Sequence, residues 1–433
     1  EDAWPALELP PRNGASAMRL LCRPFPLPAR AFAPSPPLCP WHLASRFSSA
    51  APIRPRLERH EERLKRLLRS LRLPKPTSFV AFGSKLPLPL SALPREGLGI
   101  GPKEPPPMSY LAGFFDGDGC VTVQGNNSGC QLKVAQSVQH AGVLALFLRA
   151  FGGSIGASAP RSGSRHALLT WVLGGDGCRQ AAQALSSSSA LKREQLRIAA
   201  AWPRCPHRRQ DLKEEMKRLK RSECAALDAA ARWEYLAGLV DAEGCIRVAG
   251  TSGIRLEIAQ KQLPILSFLA AWLADSIPGC TPRVYRKRGA FALRVHTLAA
   301  NRRIFERLLD AGLLQKREAA EIAMSYTRES HAECRQRLAP LVGNQARYSR
   351  LDAAGCARAQ ELARLRSRVY RRQEIDAAVG LVQRLRREID VLAQQHAAEC
   401  ALARVGLLRR DIRSLLRRGA SRAALPGRVA LPA

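Results

Sequence analysis

The pattern of apolar and polar positions changes in the same way at two places in this chain. Residues 111–119 (LAGFFDGDG) have apolar side chains at helical spacing, and residues 120–123 and 131–136 then alternate between apolar and polar positions. Such alternation is typical of a half-buried strand. The same change follows residues 236–244 (LAGLVDAEG). The sequence therefore predicts a helix followed by two strands, twice.

Each half continues with further predicted elements. In the first half we expect a helix at about 141–151, a hairpin turn at 161–165 and a closing helix from Lys192. In the second half we expect a helix at 263–276, a turn at 286–289 and a closing helix over 316–326. Each unit then has the order αββαββα. We predict an α+β fold of two tandem, pseudo-symmetric units whose antiparallel sheets flank the two central helices.

The spacing of polar residues supports a tandem repeat. Glu243 lies 125 residues after Asp118, whereas Gln260 and Lys316 each lie 124 residues after Gln136 and Lys192. A constant offset at separated points, with little identity between them, indicates two copies of one folding unit.

Two glycines inside the predicted central helices suggest how the units meet. A glycine in a helix costs roughly 1 kcal/mol relative to alanine, so Gly113 and Gly238 are better explained as contacts that let two helices approach closely. That packing would bring Asp118 and Glu243 side by side. Adjacent carboxylates repel each other, and a bound divalent cation is the simplest way to relieve the repulsion.

Both nine-residue segments resemble the LAGLIDADG motif of homing endonucleases, and the doubled copy resembles the single-chain members of that family. The match spans about residues 109–326. The resemblance implies that Asp118 and Glu243, the last acids of the two motifs, bind catalytic Mg²⁺ or another divalent cation. It also implies hydrolysis of both strands of duplex DNA, in which the metal ions activate a water and stabilise the leaving oxygen.

Four further residues match the family pattern more weakly. Gln136 and Gln260 would position solvent, and Lys192 and Lys316 would stabilise charge on the phosphate or help to activate the water. An exposed strand glutamine and a solvated helix lysine are the alternative interpretations of these positions.

The predicted sheets offer an outward polar face on which a duplex could lie, since a two-stranded ribbon fits the major groove. Cations on such a face can contact phosphates and base edges. The candidate DNA-binding residues are Lys133, Arg161, Arg165, Arg255, Lys261, Arg283, Arg286, Lys287 and Arg294.

Composition agrees with a polyanionic partner. Lys and Arg number 69 against 36 Asp and Glu, which gives a formal net charge of +33. A charge of this sign favours a polyanion such as nucleic acid, and the charge alone does not choose between DNA, RNA and an anionic membrane. No stretch approaches the ~20 apolar residues of a membrane span, so no membrane association is expected. The twelve cysteines include no Cys-x-x-Cys pair, which argues against structural zinc and a disulfide framework. We expect a monomer with an internal pseudo-two-fold axis.

The N-terminal region resembles an organelle transit peptide. Residues 18–57 contain no acid and several arginines among Leu, Pro, Ser and Ala, which is typical of such a leader. A mitochondrial location is expected, with a plastid as the alternative organelle. The simpler interpretation of this segment is a disordered basic leader without a targeting role. The predicted domains are a leader (1–57), a basic helix and Pro-rich linker (58–107), a first repeat (108–204), a linker helix (205–232), a second repeat (233–330) and a basic helical extension (331–433).

A different class of function competes with DNA cleavage. Some proteins of the resembled family act as intron maturases or other organelle RNA-binding factors that no longer cut DNA, so intron RNA is an alternative partner in organelle RNA splicing. The leader and the basic extension favour that alternative, whereas the acid retained in each motif favours the endonuclease. A structural role in an organelle ribonucleoprotein is a third option.

Overall fold

The computed structural model of the chain describes residues 53–91, 105–125, 128–159, 163–203, 205–221, 227–249, 253–341, 344–372 and 379–422. Most of the predicted leader, and Arg161, lie outside the described residues. The chain divides into two units, residues 60–357 with 402–433 and residues 1–59 with 358–401. Each unit has its own apolar cluster.

The N-terminal segment contains a helix and, within the region predicted as a Pro-rich linker, a hairpin that was not expected. Its elements are helix α1 (Ile53–Ser70) and strands β1 (Leu71–Arg72), β2 (Ser78–Ala81) and β3 (Ser84–Pro87). Strands β2 and β3 pair antiparallel around Phe82 and Gly83, both with positive φ. Positive φ at both central residues is typical of tight hairpin turns. Phe79 and Leu86, which face each other across the two strands, are buried in the main core, so residues 78–87 of the Pro-rich region are part of the fold.

The first repeat has the predicted order of elements, with one additional helix. Its elements are α2 (Met108–Asp118), β4 (Gly119–Val123), β5 (Cys130–Ser137), α3 (Gly142–Phe151), β6 (Ser154–Ala157), β7 (Leu168–Leu173), α4 (Gly175–Ser186) and α5 (Arg193–Ala200). Helix α4 was not expected. Its inward face contains Cys178, Ala181, Ala182 and Leu185, and small residues of this kind give a weak hydrophobic pattern.

The second repeat repeats this order after a linker helix, α6 (Pro206–Leu219). Its elements are α7 (Trp233–Glu243), β8 (Gly244–Ala249), β9 (Gly253–Gln260), α8 (Leu263–Ser276), β10 (Arg283–Lys287), β11 (Ala290–Val295), α9 (Leu298–Asp310) and α10 (Arg317–Met324). The additional helix is α9, whose buried Ile304, Phe305 and Leu308 could have revealed it in the sequence.

Each repeat contains one four-stranded antiparallel sheet, as predicted. The strand orders are β4-β5-β7-β6 and β8-β9-β11-β10. In β5 the side chains of Leu132 and Val134 are buried, and in β9 those of Leu256 and Ile258 are buried. Lys133 of β5 and Glu257 of β9, which lie between these buried residues, face the other side of the sheet, because side chains alternate across a strand. The predicted α+β fold of two tandem repeats is therefore confirmed.

The C-terminal extension is helical, as expected. It comprises α11 (His331–Leu341), α12 (Ala353–Tyr370), α13 (Val379–Arg417) and a short strand, β12 (Ser421–Arg422). In the larger unit, the end of α13 packs on the end of α1 through Leu68, Leu408 and Leu415, and β12 pairs with β1. The sequence-distant N- and C-terminal segments of this unit thus form one small cluster beside the main core.

The smaller unit is built on contacts between α12 and the first part of α13. Leu365, Val369, Val382 and Leu385 form its apolar cluster. Arg358 and Glu399 form an ion pair of 2.5 Å. Among the described residues of the whole chain, no helix is both long enough and apolar enough to cross a membrane.

Candidate active site

The central helices α2 and α7 touch backbone to backbone at their glycines. A Cβ atom at Gly113 would overlap the carbonyl oxygen of Tyr235, and a Cβ atom at Gly238 would overlap the carbonyl oxygen of Tyr110. Any other residue at these positions would push the helices apart. The role predicted for both glycines as close-contact residues is thus confirmed by the packing.

The same close approach continues to the C-terminal ends of the two helices. A Cβ atom at Gly117 would overlap that of Ala242 and would lie 3.1 Å from Cγ of Glu243. Asp118 is the last residue of α2 and Glu243 is the last residue of α7. The structure therefore places both acids at one end of the helix pair, where the two repeats meet.

Both acids are half-buried, and their electrostatics reflect it. Burial raises the pKa of Asp118, although the charges of Lys316 and Lys192 and a hydrogen bond from Gln136 oppose that rise. Burial also raises the pKa of Glu243, and the nearby negative charge of Asp118 raises it further. The site thus holds two desolvated carboxylates that repel each other.

The two glutamines are not equivalent in this structure. Gln136, at the end of β5, donates a 2.5 Å hydrogen bond from Nε2 to Oδ2 of Asp118. Gln260 instead accepts a 3.0 Å hydrogen bond at Oε1 from the backbone nitrogen of Lys261. Among the described residues, Gln136 thus bonds to the acid of its own repeat, whereas Gln260 bonds to the neighbouring backbone.

Lys192 lies under the end of α2. Its Nζ atom donates to the carbonyl oxygens of Phe115 at 2.8 Å, Asp116 at 2.5 Å and Gly117 at 3.4 Å. An ammonium group has three donors, so these acceptors use all of them. Burial lowers the pKa of Lys192, while the charges of Asp116, Cys120, Asp118 and Glu243 act in the opposite direction.

Lys316 has the equivalent place under α7. Its Nζ atom donates to the carbonyl oxygens of Val240, at 2.7 Å, and of Asp241. Burial lowers its pKa, opposed first by the charge of Asp241 and then by that of Asp118. Each lysine thus satisfies backbone carbonyls at a helix end, where a positive charge also interacts favourably with the helix dipole.

The first acid of each motif has a structural role that sequence reasoning missed. Asp116 is only 2% exposed and accepts hydrogen bonds from the backbone nitrogens of Ala190, Leu191 and Lys192 at 2.8 to 3.0 Å. It also accepts one from the Ser189 hydroxyl at 2.6 Å. These bonds hold the backbone segment just before α5, which begins at Arg193.

Asp241 does the same for α10. It is 1% exposed and accepts from the backbone nitrogens of Leu314, Gln315 and Lys316 at 2.8 to 3.1 Å. The signal in the sequence was available, since both motifs have an acid two residues before the last acid. The two acids of one motif therefore differ in role. The first holds the backbone segment before the closing helix, and the second faces the junction between the repeats.

The acids of the junction suit a hard divalent cation. Among the described residues, no group of three or more His, Cys, Asp or Glu side chains could hold a metal ion. Mg²⁺, however, is commonly bound by one or two carboxylates, with waters and substrate phosphate oxygens completing its octahedron. Two carboxylates with raised pKa values provide oxygen ligands of this kind, so Asp118 and Glu243 fit the ion.

Comparison with known proteins gives similarity in structure only. No protein-family model matches the sequence, and no curated protein sequence matches it. The structure is similar to LAGLIDADG homing endonucleases. I-SmaMI bound to an uncleaved DNA target in the presence of calcium ions is 13% identical, with a TM-score of 0.41, and the match covers 54% of this chain and 97% of that one. The LAGLIDADG meganuclease I-AabMI bound to uncleaved DNA is 15% identical, with a TM-score of 0.41, over 53% and 97% of the two chains. The LAGLIDADG meganuclease I-CpaMI bound to uncleaved DNA is 10% identical, with a TM-score of 0.35, over 54% and 97%.

The outward face of the second sheet contains four of the six DNA-binding cations predicted for the second repeat. The strand register places these cations on the face opposite the core. They are Arg255, Arg283, Lys287 and Arg294. Arg286 lies on the other side of strand β10, and Lys261 follows β9; both are exposed.

The first sheet presents fewer of the predicted cations. Lys133 lies on its outward face, in register with Cys120 and Val172. Arg165, in the loop between β6 and β7, lies 3.6 Å from Asp411, and its side chain is 19% exposed. The charge of Arg165 is thus partly compensated within the protein.

Two residues of the second face were not assigned from the sequence. Arg247 and Glu257 lie on the outward face with the predicted cations, and they form an ion pair of 2.8 Å. The alternation in residues 245–248 could have placed Arg247 on this face. The pairing could not be read from the sequence, because it depends on the register between two strands.

Proposed function

We propose that this protein is a site-specific double-stranded DNA endonuclease that hydrolyses phosphodiester bonds with divalent metal ions, preferably Mg²⁺. One observation supports the proposal above the others: two repelling, half-buried carboxylates end two close-packed helices at the junction of the repeats. Such a pair costs stability unless a cation joins it.

The sheets support a duplex as the substrate. A double-stranded partner has two strands related by local two-fold symmetry, and the two repeats offer two acids and two sheets in a matching pseudo-symmetric arrangement. The outward cations of the second sheet and the net charge of +33 favour a polyanion. The chain would act as a monomer, since both acids come from one chain.

Each site residue has a proposed role. Asp118 and Glu243 would hold the metal, which when bound would lower the pKa of the attacking water and stabilise the leaving oxygen. Gln136 orients Asp118 through its 2.5 Å hydrogen bond and would restrict the solvent beside it. Lys192 and Lys316 fix the helix ends and place positive charge next to the acids, which favours an anionic phosphate there.

A double variant tests the proposal directly. Asp118→Asn with Glu243→Gln keeps the size of both side chains but removes both charges. Incubated as the full chain with a randomised duplex library and Mg²⁺, the unaltered protein should yield specific cut ends and the variant none. DNA affinity in EDTA should stay within a few fold. Undiminished cutting by the variant would refute the metal roles.

A matched control distinguishes the loss of the two site acids from a general loss of two negative charges. Asp275→Asn with Glu306→Gln removes two charges from exposed positions on α8 and α9 of the second repeat. This control should cut like the unaltered protein. If it loses activity equally, the loss reflects net charge and the proposed site is wrong.

The second candidate function is RNA binding in organelle splicing without DNA cleavage. The occupied lysines favour it, because Lys192 and Lys316 already donate to backbone carbonyls and so serve the fold without any chemistry. Enrichment of structured organelle RNA in a pull-down, with no cut DNA, would support this candidate. A mitochondrial location, or a plastid one, remains a prediction that import into isolated organelles would test.

A further inference from the structure

The outward faces of the two sheets differ in charge at equivalent positions. In the second sheet, one row across the strands reads Cys245, Glu257, Arg294 and Arg283. The equivalent row of the first sheet reads Cys120, Lys133, Val172 and Ser154. The rows begin at cysteines that follow the two motifs at the same place, so the comparison is position by position.

The neighbouring row shows the same difference. Arg247 pairs with Arg255 in the second sheet, whereas Thr122 pairs with Gln131 in the first. Over these two rows the second face has four arginines and one acid, and the first has one lysine. A face with more guanidinium groups can make more contacts to phosphates and to guanine edges.

Glu257 lies at the centre of the second face. Its Oε2 atom accepts hydrogen bonds from Arg247 at 2.8 Å and Arg294 at 2.7 Å, and its Oε1 atom accepts one from Lys287. Only 5% of Glu257 is exposed. The carboxylate is therefore covered by its three cations and is not itself available to a ligand.

The cations around Glu257 remain accessible. The exposed fractions of the Arg247, Lys287 and Arg294 side chains are 43%, 36% and 22%. Arg294 also lies over the ring of Tyr285, with 4.8 Å from its guanidinium carbon to the ring centroid. A guanidinium held by a carboxylate and an aromatic ring has lost most of its rotational freedom, which lowers the entropic cost of binding.

Arg255 gives an independent indication of an anionic ligand. Within the part of the chain that the structure describes, its Nε atom is buried and has no hydrogen-bond acceptor. Arg255 also lies near the like charges of Arg247 and Arg294, and the charge of Glu257 offsets their effect only in part. An arginine with an unsatisfied Nε atom that lies beside two other arginines favours an anion on this face.

We propose that Glu257 is a positioning residue that holds Arg247, Arg294 and Lys287 in a fixed array, and that this array makes the second repeat select a guanine-containing half of the DNA site. This inference rests on the proposed function, because it takes duplex DNA as the ligand. Arginine donates two hydrogen bonds to O6 and N7 of guanine, which requires a fixed guanidinium plane. In the described residues of the first repeat, Lys133 stands in place of Glu257 and no such array is present.

Selection from a randomised duplex library, with the full chain in EDTA, tests the proposal without cleavage. The unaltered protein should select a site with guanines concentrated in one half. Glu257→Gln should lose about tenfold or more of the discrimination against base changes in that half only. Its affinity for random DNA should not fall, since the variant gains one net positive charge. Lys133→Gln should affect the other half.

Two further variants make the outcome specific. Arg247→Lys keeps the charge but not the planar fork, so it should lower base discrimination without changing the dependence of affinity on salt. Glu215→Gln removes a carboxylate that pairs with Arg218 on the exposed linker helix and should change nothing. A thermal melt of each variant identifies any that fails to fold, and the Arg247→Lys result then decides.

The outcomes separate this inference from the proposed function. Equal loss of discrimination in both halves, or none in either, for folded Glu257→Gln and Arg247→Lys would overturn the positioning role while leaving DNA cleavage intact. If structured RNA is selected in preference to any duplex, or no DNA is bound, the proposed function fails first and the inference fails with it.

Discussion

Tyr110 of the first repeat donates a 2.7 Å hydrogen bond from its hydroxyl to Oδ2 of Asp241 in the second repeat. Tyr235 makes the mirror bond to Oδ2 of Asp116, at 2.8 Å. Each tyrosine thus completes the hydrogen bonding of the acid that holds the segment before the closing helix of the other repeat. The two repeats are joined by these buried polar contacts as well as by the glycine contact between the central helices.

The first prediction concerns these tyrosines. Tyr110→Phe with Tyr235→Phe should lower the free energy of unfolding by about 2 kcal/mol, since each buried hydrogen bond contributes about 1 kcal/mol. Urea denaturation followed by circular dichroism measures the change. Tyr370→Phe, at a 78% exposed position, is the control and should have no effect. A double variant as stable as the original would show that the bonds do not hold the repeats together.

The second prediction concerns the helix contact. Gly113→Ala should destabilise the protein by about 3 kcal/mol or more, because its methyl group would overlap the Tyr235 carbonyl oxygen and overpacking costs typically 1 to 3 kcal/mol. Gly406→Ala is the matched control. Gly406 lies within α13 with nothing within 4 Å of a Cβ atom, so alanine should stabilise by up to about 1 kcal/mol. The same sign for both changes would contradict the close contact.

The third prediction concerns pH. The pKa values of Asp118 and Glu243 are raised in the folded protein, so the folded state binds these protons more tightly than the unfolded chain does. Ionisation of the acids therefore costs stability above the raised pKa values. That cost disappears as the pH falls through the raised pKa values toward the ordinary pKa values of 3.8 for Asp and 4.5 for Glu.

Without divalent cations at pH 7, Asp118→Asn with Glu243→Gln should therefore melt at a higher temperature than the unaltered protein. The difference should shrink as the pH is lowered toward 4. Added Mg²⁺ should raise the melting temperature of the unaltered protein alone. Differential scanning fluorimetry across this pH range measures both effects, and a variant that is less stable at pH 7 would contradict the repulsion.

The fourth prediction concerns Asp411, whose pKa is lowered in the folded protein and not raised. Burial alone would raise the pKa of Asp411, but hydrogen bonds from Arg347 and Tyr348 and the charges of Arg165 and Arg347 together lower it. A carboxylate with a lowered pKa stabilises the folded state at pH values above its ordinary pKa of 3.8. This stabilisation is lost as the pH falls through the lowered pKa.

Asp411→Asn should cost about 3 kcal/mol at pH 7, because it leaves partly buried arginines without their anion. The cost should vanish at low pH. Asp390→Asn, at an exposed position of the same helix, is the control. Urea denaturation at several pH values distinguishes the two variants, and an equal, pH-independent change in both would contradict the role of Asp411.

Much of the candidate site could be predicted because its features are local. Two glycines at the same place in two apolar helices indicated a close contact, and a terminal acid on each helix had to lie at the end of that contact. The strands could be placed because alternation has a period of two residues. The hairpin of residues 78–87 was missed because the prolines in and around it suggested a linker and obscured the apolar pattern of Phe79 and Leu86.

The sequence by itself determined the tandem repeat, the helix contact and the meeting of Asp118 with Glu243, since each follows from spacing within or between short segments. Only the tertiary structure decided which charged groups already have partners. It showed Lys192 and Lys316 on helix carbonyls, Arg165 near Asp411, and Arg294 on Glu257. These pairs join residues whose separation along the chain has no regular period, and burial and strand register bring them together. The sequence therefore shows which charged residues are present, but the fold decides which of them already have a partner within the protein.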